Sequence, residues 1–485
     1  MDGIIFSGFT LGGGGPGDIR TPQLGPYRIR TYLEEHGYTC DIIEWFDFWE
    51  DEEILELIKK RYHKNLKFIG FSTTFQSILN ISSDILKKIK SLYPNLKIVI
   101  GGQEPYETFC GEDPEKSKYI DIVFYGHAEV AFLEYIKYLE GKSNRHKANK
   151  FSTGVDYVIA PHVLPYTDCL NLNTIWKPED PLKYFKVGSI EISRGCMFKC
   201  KFCGSPLIGK KKSDYTRSAE NLSEEIKRNH DLFGITHYIF SDDTLNESTE
   251  KLLNIKRAIQ LSGVDITFTA YLRYEILNTH FEQVEILSEM GLIGGQLGIE
   301  TFNPISRKAI GKGLSTEKIM DLLYRIKKSN KNLSLGTGFI VGLPGETEET
   351  TIESLENFLK LNRDNEYLDH FYWSPLYIVK PYKYLSSVFT REAASYGYSI
   401  IPGLGQWTND KIDINSWDEA KRITDHLNNL SKNNSKTAFY LSELLGLGIA
   451  KNNFKDLKTP EIAQDKKEAI WKSYREEKLN QNKFI

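Results

Sequence analysis

Cysteine is scarce in this chain: 485 residues hold only six. That excludes a disulfide scaffold, which depends on many bridges in a short secreted chain. No stretch approaches the roughly 18–20 apolar residues of a membrane-spanning helix. Neither charge dominates, since 62 Lys and Arg stand against 65 Asp and Glu, a formal charge of −3. Such balance disfavours a protein whose main task is to grip a nucleic-acid backbone. The N-terminus, Met1-Asp2-Gly3 before Ile4-Ile5-Phe6, lacks a basic region and a cleavage site. It reads as a first strand rather than a signal peptide, and a cytoplasmic location is expected. The apolar fraction of 40% and charged fraction of 26% suit a globular chain of two or three domains.

What is present is alternation. Residues 1–145 alternate short apolar runs (4–6, 40–45, 68–72, 97–100, 121–125) with helical patterns such as 23–36, 78–92 and 129–139. Strand and helix in turn imply an α/β domain with a doubly wound, Rossmann-like parallel sheet. Its ligands sit beyond the carboxyl ends of the strands, where Ser72-Thr73-Thr74, Gly101-Gly102 and Gly126 lie. Residues 146–186 carry few periodic signals and read as an irregular connector. A second alternating block covers 187–385, with strands expected at 189–193, 236–241, 265–270, 294–299, 335–341 and 370–376. Six strand–helix units suit a partial (β/α)6 barrel, whose reactive face is again the carboxyl edge. Residues 386–485 look mostly helical and are expected to form a separate C-terminal domain.

Three of the six cysteines fall within eight residues, in Ser193-Arg194-Gly195-Cys196-Met197-Phe198-Lys199-Cys200-Lys201-Phe202-Cys203-Gly204. This loop follows the first strand of the second block. Three thiolates can hold three irons of a four-iron cluster and leave the fourth open to an exogenous ligand. A structural zinc site wants four ligands, usually in paired short spacings, and Cys169 would have to supply the fourth. Lys199, Lys201 and the flanking glycines make the segment a poor place for inert buried thiols.

The spacing Cys196-x-x-x-Cys200-x-Phe202-Cys203 resembles the signature of radical S-adenosylmethionine (SAM) enzymes. The resemblance covers residues 187–380. It implies a [4Fe-4S] cluster on Cys196, Cys200 and Cys203 whose open iron chelates SAM. Reductive cleavage of SAM would then release a 5′-deoxyadenosyl radical. Gly338-Phe339-Ile340-Val341-Gly342-Leu343-Pro344-Gly345-Glu346-Thr347 resembles the family's fifth-strand element, whose backbone meets adenine. Glycines at alternating strand positions would clear one face for a flat ring. On the same resemblance Phe202, Asp242, Arg273, Glu300, Gly338, Ile340 and Gly342 are the expected SAM-binding residues. Arg273 would fork onto the SAM carboxylate. The plain alternatives are a helix-capping role for the Asp242-Asp243 pair and surface ion pairs for Arg273 and Glu300.

The first block resembles the cobalamin-binding domain that precedes many radical SAM barrels. That resemblance implies cobalamin contacts at Ser72, Thr73, Gly101, Gly102, Gly126 and Glu129. The Asp-x-His-x-x-Gly loop of stand-alone cobalamin proteins is missing. Gly12-Gly13-Gly14-Gly15-Pro16-Gly17 stands there instead, and no histidine precedes His36. A degenerate domain that only shapes a substrate channel is the plain alternative. Tyr372, Trp373, Tyr377, Tyr382 and Tyr384 suit either a substrate pocket or an aromatic core, and Lys210-Lys211-Lys212 a solvated loop.

Together these resemblances imply a cobalamin-dependent methyl transfer to an unactivated carbon. The substrate would lie between the two α/β domains, and a flavodoxin- or ferredoxin-type protein would donate electrons. Other radical SAM chemistry without methylation is the first alternative. Sulfur insertion is a second, disfavoured because Cys40, Cys110 and Cys169 are scattered. A non-enzymatic iron–sulfur or zinc module is the third.

Overall fold

The computed structural model describes residues 1–8, 19–73, 81–102, 114–143, 148–150, 153–159, 171–203, 216–365, 368–378, 387–401, 405–430, 437–454, 456 and 458–481. Several expectations lie outside them: the glycine-rich loop at 12–17, Thr74, Cys110, Cys169, Gly204, the lysines at 210–212, Tyr382 and Tyr384. The chain divides into two compact units.

The first unit comprises Met1–Ile190, Glu224–Ile235 and Glu443–Ile485. Its strands are β1 (Gly3–Ser7), β2 (Cys40–Glu44), β3 (Phe68–Thr73), β4 (Lys97–Gly102), β5 (Ile122–Tyr125), β6 (Asn149–Lys150) and β7 (Asp156–Ile159). They form one sheet in the order β2-β1-β3-β4-β5-β7-β6. All pairs are parallel except β6 with β7. β1 and β2 are buried throughout, as strands covered on both faces should be. The parallel sheet is as expected, but the connector is not wholly irregular. Residues 149–150 and 156–159 add two strands to the sheet edge, too short for their alternation to register as a pattern.

The second unit comprises Glu191–Ser223 and Thr236–Ser442. It holds β9 to β13 of a six-stranded sheet of order β13-β12-β11-β10-β9-β8, whose strand β8 enters the unit only at Glu191. The strands are β8 (Gly188–Glu191), β9 (His237–Ser241), β10 (Thr267–Leu272), β11 (Leu292–Glu300), β12 (Ser334–Val341) and β13 (His370–Pro375). From β9 to β13 each neighbouring pair is parallel. In β13 burial alternates residue by residue. Phe371 and Trp373 face a core of Phe339 and Phe358 on the outer side. Tyr372 faces the concave side.

That concave side is filled from below by the backbone of residues 438–442. Ser442 Oγ meets Thr269 Oγ1 at 3.0 Å and donates to the Tyr238 carbonyl at 2.9 Å. The Ala438 amide donates to Gln296 Oε1 at 3.1 Å. A Cβ at Gly294 would lie 3.0 Å from the Ala438 carbonyl, so glycine admits the segment. Asn428, on the helix Trp417–Leu430, accepts from the Trp373 amide and donates to its carbonyl, both at 2.9 Å. The side-chain amide thereby satisfies the backbone of edge strand β13.

The expected C-terminal domain is not separate. Residues through Ser442 belong to the second unit, and Glu443–Ile485 to the first. A small antiparallel pair, β14 (Tyr398–Ile400) with β15 (Trp407–Asn409), also interrupts the helices.

Candidate functional site: the cysteine loop and two carboxyl edges

Gly195 has φ +75°, a left-handed conformation that turns the chain immediately before Cys196. The loop is anchored at several points. Ser193 bridges to Thr216. The Lys201 amide donates to the Ile310 carbonyl at 3.1 Å, and the Phe389 amide to the Lys201 carbonyl at 2.8 Å. The Cys203 amide donates to the Cys200 carbonyl at 3.2 Å and folds the third cysteine back toward the second. None of the three cysteines is in a disulfide; Cys200 is buried, Cys196 and Cys203 half-buried.

Two polar groups touch these sulfurs. Thr244 Oγ1 lies 3.2 Å from Cys196 Sγ. Arg273 Nη1 donates to Cys200 Sγ at 3.1 Å. Burial pushes the Cys196 thiol up, opposed by the Thr244 contact and the Phe198 backbone. Three such cysteines on one anchored loop, with a cation against one of them, fit a cluster that binds thiolates. Among the described residues no three His, Cys, Asp or Glu converge on a single-ion site.

The carboxyl ends of β9 to β12 frame the same region of the second unit, and several expected SAM contacts prove to be engaged within the protein. Asp242 is buried and serves the fold. It pairs with Lys251 Nζ at 2.7 Å, and it accepts from Ser193 Oγ at 2.7 Å and the Thr244 amide at 2.8 Å. Both oxygens of its carboxylate are engaged within the protein. Nor is Arg273 a free carboxylate fork. Its second terminal nitrogen is 3.2 Å from Glu275, and its guanidinium lies 4.0 Å from the Phe198 ring centre. Gly338 does clear space, but Tyr372 takes it: an added Cβ would lie 2.7 Å from the phenol oxygen. At Gly342, φ is +93° and a Cβ would meet the Trp407 ring at 2.6 Å, so this glycine serves packing. Ile340 is half-buried on the concave side with Gly338.

Glu300 ends β11 where the register with β12 shifts, and its φ is +68°, rare for a residue with a side chain. Such strain concentrates at functional positions. Burial pushes its carboxyl up, opposed by Lys312, whose Nζ is 4.0 Å away. Lys312 donates to the Gly298 carbonyl at 2.6 Å and lies 5.8 Å from the centre of the Phe202 ring, a contact within cation–π range. Sequence reasoning missed Lys312, Lys251 and Thr244. None sits in a recognisable spacing; only the fold carries them to the loop.

In the first unit, Ser72 pairs with Gly101 and Thr73 with Gly102 at the carboxyl edge of β3 and β4. The Gly126 amide donates to the Gly102 carbonyl at 2.9 Å, and Gly126 has φ +76°. A Cβ at Gly101 would find only the Phe124 carbonyl, 3.9 Å away. Among the described residues, then, nothing crowds the backbone at Gly101, as the approach of a large planar cofactor requires. Glu129 does not reach it. Its carboxylate is buried against Arg28 Nε at 3.3 Å, and Arg28 also donates to the Leu172 carbonyl at 2.7 Å. Glu129 is a fold residue.

Comparison with known proteins decides the family. Residues 190–358 match the Radical SAM superfamily, and residues 20–136 match the B12 binding domain. The chain carries a radical SAM domain and a B12-binding domain. An uncharacterized methyltransferase of Pyrococcus horikoshii is 28% identical over 365 residues, 71% of this chain and 74% of that protein. A tRNA-2-methylthio-N(6)-dimethylallyladenosine synthase of Buchnera aphidicola is 25% identical over 303 residues, covering 60% of this chain and 62% of that protein. Among solved structures, the radical SAM methyltransferase TsrM of Kitasatospora setae, with cobalamin and a [4Fe-4S] cluster bound, superposes with a TM-score of 0.66. It is 16% identical, and the match covers 97% of this chain and all of that one. The likeness of fold extends over both sheets. Among the described residues no helix is long and apolar enough to cross a membrane.

Proposed function

We propose that this radical SAM protein is a cobalamin-dependent methyltransferase acting on an unactivated carbon. The observation that carries the reading is the presence of two carboxyl edges in one chain: a loop with three cysteines outside any disulfide, and a Ser72–Gly101 edge in a B12-binding sheet. When bound, the cluster and SAM supply radical generation and cobalamin supplies methyl carriage.

Cys196, Cys200 and Cys203 hold the cluster. Phe202, Glu300 and Ile340 line the place of SAM, with Lys312 orienting the Glu300 carboxylate. The Ser72 hydroxyl and the backbone of Thr73, Gly101, Gly102 and Gly126 face cobalamin. Tyr271, about half exposed, lies on the concave face against the Phe439 ring. Its phenol offers a substrate a hydrogen-bond donor. Similarity to the methyltransferase of Pyrococcus horikoshii supports methyl transfer. Sulfur insertion, the activity of the Buchnera relative's name, lacks a second set of clustered thiols among the described residues, because Cys40 is buried inside β2.

Anaerobic reconstitution with iron and sulfide, followed by SAM and dithionite, tests the core of this reading. Formation of 5′-deoxyadenosine is expected, along with the visible spectrum of retained cobalamin. Deoxyadenosine without cobalamin retention would move the protein to the non-methylating radical chemistries. A bound zinc in place of iron would overturn the reading altogether.

A further inference from the structure

We propose that Arg273 is a positioning residue for the iron–sulfur cluster, donating to the Cys200 sulfur so that the cluster becomes easier to reduce. The inference rests on the reading that Cys196, Cys200 and Cys203 hold that cluster.

Arg273 is held from several sides. Nη1 donates to Cys200 Sγ at 3.1 Å, and Nη2 to Glu275 Oε1 at 3.2 Å. The Phe198 ring supports the flat guanidinium from one face at 4.0 Å. Its backbone is fixed as well. The Arg273 amide donates to Asn246 Oδ1 at 2.8 Å, and Asn246 Nδ2 donates back to the Arg273 carbonyl at 3.2 Å. Asn246 is fully buried and braced against Gln283 Oε1 at 3.2 Å. The arm is thus set by the β10 end and its neighbours.

A carboxylate clamp needs both terminal nitrogens aimed at one acceptor. Here they are divided between a sulfur and a protein carboxylate. A different consequence follows from that division. Reduction adds negative charge to a cluster and its sulfurs. A cationic donor stabilises the reduced form more than the oxidised one, and hydrogen bonds to the sulfurs are a known lever on cluster potential. The Arg273 side chain is only 15% exposed, so water screens it weakly. Glu275 offsets part of the charge, which makes the pair a graded setting rather than a full cation. The Thr244 hydroxyl near Cys196 is a weaker candidate, because it already donates to the Asp243 carbonyl at 2.7 Å.

The test is a redox titration of the full chain, reconstituted anaerobically and followed by electron paramagnetic resonance without SAM. Iron and sulfide per chain report assembly in each variant. At the potential where the wild type is half reduced, Arg273→Met should show a ratio of reduced to oxidised cluster roughly tenfold lower, the scale of one hydrogen bond to a charged group. Arg273→Lys should recover part of that loss. Glu275→Gln should shift the ratio the other way. If Arg273→Met fails to assemble a cluster, the Lys and Gln variants still carry the test through their opposite directions. The inference is overturned if the variants titrate with the wild type while affinity for SAM falls tenfold in Arg273→Met. That pattern would make Arg273 a substrate clamp after all. Absence of any cluster signal in the wild type overturns the cluster reading itself, and this inference with it.

Discussion

Two buried acids illustrate how much a single residue carries in this protein. Lys251 and Asp242 form an ion pair whose side chains are at most 2% exposed, directly beneath the cysteine loop. Lys251 also donates to Ser193 Oγ at 3.0 Å and to the Thr244 carbonyl at 3.1 Å. Lys251→Met should destabilise the second unit by about 3–5 kcal/mol in urea unfolding, because it strands a buried carboxylate. Adding Asp242→Leu should recover part of that loss. Glu346 is the second case. Burial pushes its carboxyl from 4.5 up to about 7, opposed by the Leu343 and Gly342 amides that donate to it. The folded chain therefore binds this proton more tightly than the unfolded chain. The resulting stability is full below pH 4.5 and is lost as pH rises through 7. It amounts to about 3 kcal/mol at most. Glu346→Gln should flatten that dependence, seen as a smaller drop in Tm between pH 5 and pH 8.

At the scale of elements, the partial barrel owes its integrity to what covers it. The hydrophobic periods of β12 and β13 were visible in the sequence, and their outward faces pack as the alternation requires. The inward glycines misled in one respect. Their bareness admits Tyr372 and the backbone at 438, partners far away in sequence, rather than a ligand alone. The free edge of β13 is closed by Asn428. Asn428→Leu should cost roughly 1–3 kcal/mol, the penalty for leaving buried backbone groups unpaired. It should also raise the tendency to aggregate, measured by light scattering on mild heating.

At the scale of the molecule, the last helix completes the first unit rather than building a domain of its own. In Thr459–Asn480, Trp471 packs edge-on against Trp45 and Trp49, and the Tyr474 hydroxyl accepts from the Glu44 amide at 2.8 Å. Lys467 meets Glu443 at 3.1 Å in a buried pair. Trp471→Ala should destabilise the first unit by about 3–5 kcal/mol. Limited proteolysis should then cut that unit before the second. A chain ending at residue 458 should lose the first unit's cooperative unfolding in calorimetry, since the Trp45–Trp49 cluster would face water.

The cysteine loop, both parallel sheets and the glycine edge of the first were legible because each is a local pattern. Spacing within a dozen residues fixes which thiols share a loop, and alternation within a strand fixes which faces are buried. Side-chain commitments were not legible. Asp242, Arg273 and Glu129 look available to a ligand in sequence, yet each is spent on a partner that only folding supplies: Lys251, Cys200 with Glu275, and Arg28. The sequence by itself determined which chemistry the chain can host. Tertiary structure alone decided which charges remain free to perform it, because a buried charge must find its counter-charge wherever the fold brings one within reach.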